Sequence, residues 1–220
     1  MNIFDILGPV MVGPSSSHTA GAVRIGYVAR TLLGSRPVKA SVGLHGSFAA
    51  TGTGHGTDRA LIAGLLGMRP DDMRIPESFQ VAEEEGLDFV FEEIRIPGAH
   101  PNTAVIHAEG EDGRTVRIQA SSLGGGRIMI DRIGDTDVHC TGEKPSLIIR
   151  NQDSPGMVAE VTRMLAAENV NIATLQLYRE RRGGNAVMIL ETDQPVEDAI
   201  AQRLRQVEGI LEIRYIPQER

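Results

Sequence analysis

The sequence of 220 residues contains a single cysteine, Cys140, and no tryptophan. One cysteine excludes a disulfide within the chain, and it cannot supply the thiolate set of an iron–sulfur cluster. No apolar run approaches the about 20 residues that span a bilayer. The first residues also lack the basic region and cleavage site of a signal peptide. We therefore expect a cytoplasmic protein with no membrane partner.

Clusters of basic residues are absent as well. The chain has 22 lysines and arginines against 29 acidic residues, a net charge of −7. This balance argues against nucleic acids and anionic membranes as partners, because both attract positive charge. Acidic residues are dense between positions 71 and 93, but their spacing matches no ligand motif. We expect a solvated surface there and no metal site.

The stretch Gly13–Gly21 places three serines, a histidine and a threonine next to one another. Glycine and proline open it, which predicts a turn, and the apolar spacing that follows predicts a helix. Ser17 or Thr19 is the predicted N-cap. Because a helix N-terminus presents amide groups and a positive dipole end, it favours a carboxylate or phosphate. His18 adds a group that exchanges protons near neutral pH. Helix capping alone remains the alternative interpretation of the serines.

A second stretch, Gly52–Asp58, is rich in glycine and contains His55. We predict a loop that ends at Thr57, followed by a helix with an apolar face. The chain thus has two similar motifs, and each combines small residues, a histidine and a predicted helix start. The sequence leaves open whether they converge on one ligand.

A third polar cluster, His100-Pro101-Asn102, is predicted to form a turn before a strand. Further on, the triple glycine at 124–126 lies in a region of strands, which indicates a bulge or a close approach of the backbone to a ligand. Several strands with occasional helices predict an α+β domain with a mixed sheet over residues 1–135.

A polar linker is predicted at residues 136–145, followed by a second domain over 146–220. The pattern of apolar residues, turns and helix starts in this domain reads βαββαβ. This order is the ferredoxin-like motif.

The second domain resembles the ACT domain, a regulatory module that often binds amino acids, through the turn Asp153–Gly156 and the strand start Val170–Ile172. The resemblance implies side-by-side self-association with an effector between the copies. In a related domain of phosphoglycerate dehydrogenase, the matching positions bind L-serine. These positions are Asn151, Asp153 and Asn171 here, and the first two differ in residue type from that enzyme.

The first domain resembles the iron–sulfur-dependent L-serine dehydratases (L-serine ammonia-lyases). Four motifs occur in the same order: the serine stretch 13–19, the glycine–histidine stretch 52–58, His100-Pro101-Asn102, and 122–126. The whole chain resembles the β subunit of the two-subunit form, which ends in an ACT domain. The first domain is also similar to the anion-binding domain of some phosphoglycerate dehydrogenases.

The resemblance implies a lyase of serine catabolism and gluconeogenesis that converts L-serine to pyruvate and ammonia. An α subunit would hold a [4Fe–4S] cluster through its own cysteines, and this chain would hold no metal. His18 and His55 are the implied catalytic residues, and which of them is the base stays open. The implied substrate contacts are Ser15, Ser16, Ser17, Thr19, His100 and Asn102.

The alternative is a purely regulatory subunit that binds an anion or an amino acid and contributes no residue to the chemistry. A third interpretation is an amino-acid-binding protein without an enzyme partner.

Overall fold

A computed structural model describes residues 10–179 and 181–218, and within helix 47–55 it leaves the side chains of 52 and 53 undescribed. The chain divides into two compact units between Gly134 and Asp135. The helices of the first unit are α1 Gly21–Leu33, α2 Ser47–His55, α3 Thr57–Leu65 and α4 Ser78–Glu85. Its strands are β1 Pro37–His45, β2 Asp88–Ile94, β3 Thr103–Gly110, β4 Thr115–Gly124 and β5 Arg127–Ile133.

The strands of the first unit form a mixed sheet in the order β2-β1-β3-β4-β5. Strands β1 and β2 are parallel, and the other neighbours are antiparallel. On β3, Ala104 and Ile106 are fully buried while His107 is exposed. This alternation is typical of a sheet with one packed and one open face. The predicted α+β class with a mixed sheet is confirmed.

Helices α1 and α3 cross at two glycines. A Cβ atom on Gly26 would lie 2.1 Å from the carbonyl oxygen of Leu61, and one on Gly64 would lie 2.0 Å from the carbonyl oxygen of Val23. Both distances are far inside van der Waals contact, and the obstructing atoms belong to the backbone. The two helices therefore approach one another as closely as their backbones allow, which requires the absence of side chains at the crossing.

The second unit contains β6 Thr136–Cys140, β7 Ser146–Gln152, α5 Met157–Ala167, β8 Ile172–Arg179, β9 Asn185–Thr192, α6 Asp198–Leu204 and β10 Ile210–Ile216. From β7 onwards the order is βαββαβ, as predicted. Its four-stranded antiparallel sheet has the order β10-β7-β9-β8, and residues of the sheet, α5 and α6 share one apolar core. The predicted linker at 136–145 is not entirely a connection, because strand β6 occupies residues 136–140. Among the described helices, none is long and apolar enough to cross a membrane.

We predict that Gly64→Ala destabilises the protein by about 2–3 kcal/mol, because the new methyl group overlaps the backbone of α1. Gly54→Ala is the matched control, since a Cβ there meets nothing within 4 Å. In helix α2 this change should instead stabilise by about 0.5–1 kcal/mol. Chemical denaturation followed by circular dichroism measures both. Equal stability of Gly64→Ala and the unmodified chain would contradict the close crossing.

Candidate functional site

The serine turn begins with Ser15, which caps the helix that follows. Ser15 has extended backbone angles, and its Oγ accepts a hydrogen bond of 3.1 Å from the backbone N–H of His18. Residues Ser16–Ala20 form a π-helical turn that runs directly into α1. The predicted cap at Ser17 or Thr19 is therefore wrong, because both residues lie inside this turn. Single π turns often occur at functional sites, since they displace side chains from the regular helical positions.

Hydroxyl groups surround the imidazole of His18 on both sides. Its Nδ1 lies 3.1 Å from the Oγ of Ser17 and 3.4 Å from the Oγ of Ser15. Its Nε2 lies 3.2 Å from the Oγ of Ser47. The ring also packs edge-on against buried Phe48, with the centroids 5.4 Å apart. Because a hydroxyl both donates and accepts, this environment suits either tautomer of the ring.

His55 is the last residue of α2, and its ring centroid lies 5.3 Å from that of His18. The structure thus brings the serine stretch and the glycine–histidine stretch together at their histidines. The predicted loop before Thr57 is wrong, because residues 52–55 are helical, while a helix does begin at Thr57 as predicted. Only Gly56, with φ of 68°, interrupts the helices at that point. The His55 side chain is exposed, and within the described residues its ring nitrogens have no hydrogen-bond partner.

The pKa of His18 is held below its ordinary value of 6.5, first by burial of the ring and then by the nearby charge of His55. A backbone hydrogen bond with Ser47 partly opposes both effects. Two histidines this close disfavour double protonation, because each cation raises the cost of the other. His18 is therefore neutral at pH 7 and able to accept a proton.

The triple glycine lies beside the serine turn. Gly124, Gly125 and Gly126 all have positive φ and connect β4 to β5, with a shift of register before them. The N–H of Gly125 donates to the Oγ of Ser16 over 3.2 Å, and Arg24 of α1 donates to the carbonyl of Gly126 over 2.7 Å. The shift of register agrees with the predicted bulge, and the bond from Gly125 to Ser16 joins the fourth motif to the first.

The cluster His100-Pro101-Asn102 reaches the histidine pair through backbone atoms. The N–H of Ser47 donates to the carbonyl of Pro101 over 2.8 Å, which places the start of α2. His100 itself is exposed, and its Nδ1 accepts from the N–H of Asn102 over 3.1 Å. Substrate contact by His100 and Asn102 stays a prediction.

Two further features of the site were not evident from the sequence. Thr19 is only 3% exposed and packs against Gly13, and substrate contact by Thr19 stays a prediction. Ser47 and Phe48 contact His18 although no motif contains them. Their only signal in the sequence is their position directly after the strand that ends at His45.

The predicted effector positions of the second unit have separate partners. Asp153 accepts from the N–H of Gly183 over 3.0 Å and from Arg179 over 3.2 Å, and these bonds lower the pKa of its carboxyl. Asn171 donates to Asp193 over 2.6 Å. Asn151 is buried, and its side-chain oxygen has no hydrogen-bond partner within the described residues. Effector binding here stays a prediction.

The residues of this chain do not fit an iron–sulfur cluster. Among the described residues, no group of three or more histidine, cysteine or acidic side chains is placed to hold a metal ion. Cys140 is buried, and burial raises the pKa of its thiol. A cluster needs several accessible thiolates, which this chain does not offer.

Together these features define an α+β protein that pairs a serine–histidine site with an ACT domain. A family model of the serine dehydratase beta chain matches residues 2–86, and one of the ACT domain matches residues 146–209. The chain is 40% identical to the probable L-serine dehydratase, beta chain, of Bacillus subtilis (strain 168), over 98% of this chain and 97% of that one. It is 34% identical to the L-serine dehydratase, beta chain, of Peptoniphilus asaccharolyticus, over 97% and 96%. The chain belongs to the family of L-serine dehydratase beta chains.

A second relationship concerns the fold. The D-3-phosphoglycerate dehydrogenase of Bacillus subtilis (strain 168) is 30% identical over 72% of this chain and 30% of its own length. This agrees with the predicted similarity of the first domain to a domain of those enzymes.

We predict that His55→Gln raises the pKa of His18 but leaves it below the ordinary value of 6.5, because burial still disfavours the imidazolium. A titration of the full chain by ¹H–¹⁵N NMR measures this. The control is His107→Gln, on the open face of the sheet, which should leave His18 unchanged. Identical titrations of His18 with and without His55 would show that the two rings are not coupled.

The lowered pKa of His18 also makes the stability of the folded chain depend on pH. Since the folded chain protonates His18 less readily than the unfolded chain, this contribution to stability decreases as the pH falls from 6.5 towards the lowered value.

Proposed function

We propose that the chain works in the cytoplasm as the β subunit of an L-serine dehydratase, which converts L-serine to pyruvate and ammonia. In this proposal an α subunit holds a [4Fe–4S] cluster and this chain closes the active site. The observation that carries it is the His18–His55 pair, which lies among serine hydroxyls at a helix start. Membership of the family supports the same assignment.

The two histidines have different environments, which suggests different roles. His55 is exposed and has no hydrogen-bond partner in the described part of the chain, so we assign it the removal of the α-proton of L-serine. His18 has hydroxyl partners at both nitrogens, so we assign it the orientation of the substrate. A neutral His18 also adds no positive charge beside the assigned base.

The serine turn is suited to the substrate carboxylate. Ser15, Ser16 and Ser17 carry hydroxyl donors at the first turn of a long helical segment, where the dipole favours an anion. The positioning of a carboxylate there would present the α-carbon to the histidine pair. Thr19, by contrast, acts in this proposal through packing, because its side chain is buried.

Loss of the β-hydroxyl needs a further group. A cluster with an open iron position supplies Lewis-acid chemistry to such a leaving group. The part of this chain is to bind the carboxylate, to hold His18 and to move the α-proton at His55. The aminoacrylate that leaves the site hydrolyses to pyruvate and ammonia in water.

We expect His55→Ala to leave the complex assembled and to slow turnover by about a hundredfold or more, the loss typical of a general base. The assay measures pyruvate from L-serine without oxygen, using the chain co-expressed with its α partner. His107→Ala is the control, because this exposed histidine lies on another part of the sheet. Near-normal turnover by His55→Ala would remove His55 from the mechanism.

The same assay tests the regulatory alternative. Equal turnover by the partner without this chain would mean that the chain only regulates, and the serine turn would then bind an effector.

We also propose that the ACT domain self-associates through β8, an edge strand of its sheet. Leu175 and Leu177 lie opposite the core residues Leu190 and Met188 of β9, so they share the face that packs on the helices. They are nevertheless 37% and 42% exposed. The core is thus open along this edge, and a second copy placed there would extend the sheet and bury both leucines.

We expect Leu177→Asp to weaken self-association about tenfold or more, since it places a charge where the proposed dimer would bury an apolar side chain. Sedimentation velocity measures the oligomeric state as a function of concentration. Leu211→Asp is the matched control, because Leu211 is 55% exposed on β10 at the opposite edge. A dimer that Leu211→Asp disrupts, while Leu177→Asp does not, would place the interface at the other edge.

A further inference from the structure

A row of buried hydroxyl groups crosses the ends of β3 and β4. Thr103 and Ser121 are register partners, 0% and 2% exposed, and their side-chain oxygens lie 2.8 Å apart. They alternate with residues that face the helices, so they lie on the other face of the sheet. Ser121 donates to Asp131 over 2.7 Å, and Thr103 donates to the carbonyl of His100 over 2.6 Å. The row therefore runs from a carboxylate on β5 to the turn at 100–102.

The number of hydroxyl hydrogens in this row determines which group donates each hydrogen bond. Each hydroxyl carries one hydrogen, whereas a carboxylate and a carbonyl only accept. Ser121 donates its one hydroxyl hydrogen to Asp131. The hydroxyl hydrogen of Thr103 is therefore shared between Ser121 and the carbonyl of His100. Hydrogen bonds in such a series polarise one another in a buried environment. Asp131 thus orients both hydroxyls.

The turn at the end of this row is fixed at three successive carbonyls. The carbonyl of His100 is held by Thr103, and that of Asn102 accepts from the N–H of Ser122 over 2.9 Å. Between them, the carbonyl of Pro101 accepts from the N–H groups of Ser47 and Phe48. These two residues begin α2 and contact His18. Hydrogen bonds therefore lead from Asp131 to the carbonyl of His100, and the backbone of the turn together with Ser47 connects them to the imidazole of His18.

We propose that Thr103 and Ser121, oriented by Asp131, are positioning residues for the histidine site. They hold the carbonyl of His100 in place. In this way they position the turn at 100–102, whose Pro101 carbonyl accepts the N–H groups at the start of α2. None of the three touches His18 or His55 in the structure. Only the kinetic part of the test rests on the proposed function, because the path of hydrogen bonds does not depend on the reaction.

The first experiment measures the imidazole ¹⁵N and ¹H chemical shifts of the full chain by NMR. Thr103→Val keeps the shape of the side chain but removes the hydroxyl, and we expect it to shift the signals of both His100 and His18. Thr103→Ser keeps the hydroxyl and should restore them. Thr115→Val, at an exposed site on β4, is the matched control and should change neither. Unchanged signals of His100 and His18 in Thr103→Val would overturn the proposal.

Ser121→Ala provides the second variant if Thr103→Val fails to fold. A solvent-open cavity of about 270 Å³ lies against Ser121 and Asp131, so this truncation leaves no sealed void. The same shift of both histidine signals is expected, and its absence in folded Ser121→Ala would likewise overturn the proposal.

The second experiment separates KM from kcat in the complex with the α partner. A displaced turn weakens substrate binding, so we expect Thr103→Val to raise KM about fivefold, as for the loss of one buried hydrogen bond, with kcat nearly unchanged. A merely structural role would lower kcat at constant KM, since only the folded fraction would turn over. An unmodified complex that forms no pyruvate from L-serine would refute the proposed function, while the NMR result would still decide the positioning role.

Discussion

The close crossing of α1 and α3 at Gly26 and Gly64 determines where the candidate site can form. Helix α1 continues backwards into the π turn that carries His18, and α3 follows His55 after one residue. A change in the separation of these two helices would displace both histidines at once. The 5.3 Å between their rings therefore depends on a crossing at which the two backbones meet directly at the glycines. Because interiors are packed as densely as crystals, such a contact has few alternative arrangements.

The chemistry of His18 follows from the choice of hydroxyls as its neighbours. A carboxylate at the position of Ser17 or Ser47 would stabilise the imidazolium and raise its pKa. Serine hydroxyls satisfy the ring without adding charge, so burial and His55 determine the direction of the pKa shift. In the proposed function, the binding of a carboxylate also gains from these hydroxyls, because they add no competing negative charge. In that proposal the same residues would serve both substrate binding and the protonation state of the histidine.

The sequence predicted the features that depend on periodicity and order. The strand after the turn at 100–102 and the βαββαβ pattern of the ACT domain were predicted correctly, because burial on one face imposes a period of two or 3.6 residues. The stretch 52–55 was not, because glycine is a poor helix former. Its helix is held instead by Phe48, fully buried near its start, and by the bonds to Pro101. The strand at 136–140 was not predicted either, because its polar residues are typical of a linker between domains.

The contribution of Ser47 could not be found from any motif, and the reason lies in the corner between β1 and α2. Gly46 has φ of 58°, and a Cβ there would lie 2.7 Å from the carbonyl oxygen of Pro101. Only glycine permits this turn and this approach together. The turn then directs the next two N–H groups to Pro101 and the hydroxyl of Ser47 to His18. Backbone geometry at a glycine thus selects which hydroxyl meets the histidine. A substitution at such a glycine is expected to disturb the fold, whereas a substitution of the hydroxyl it positions should alter the chemistry alone.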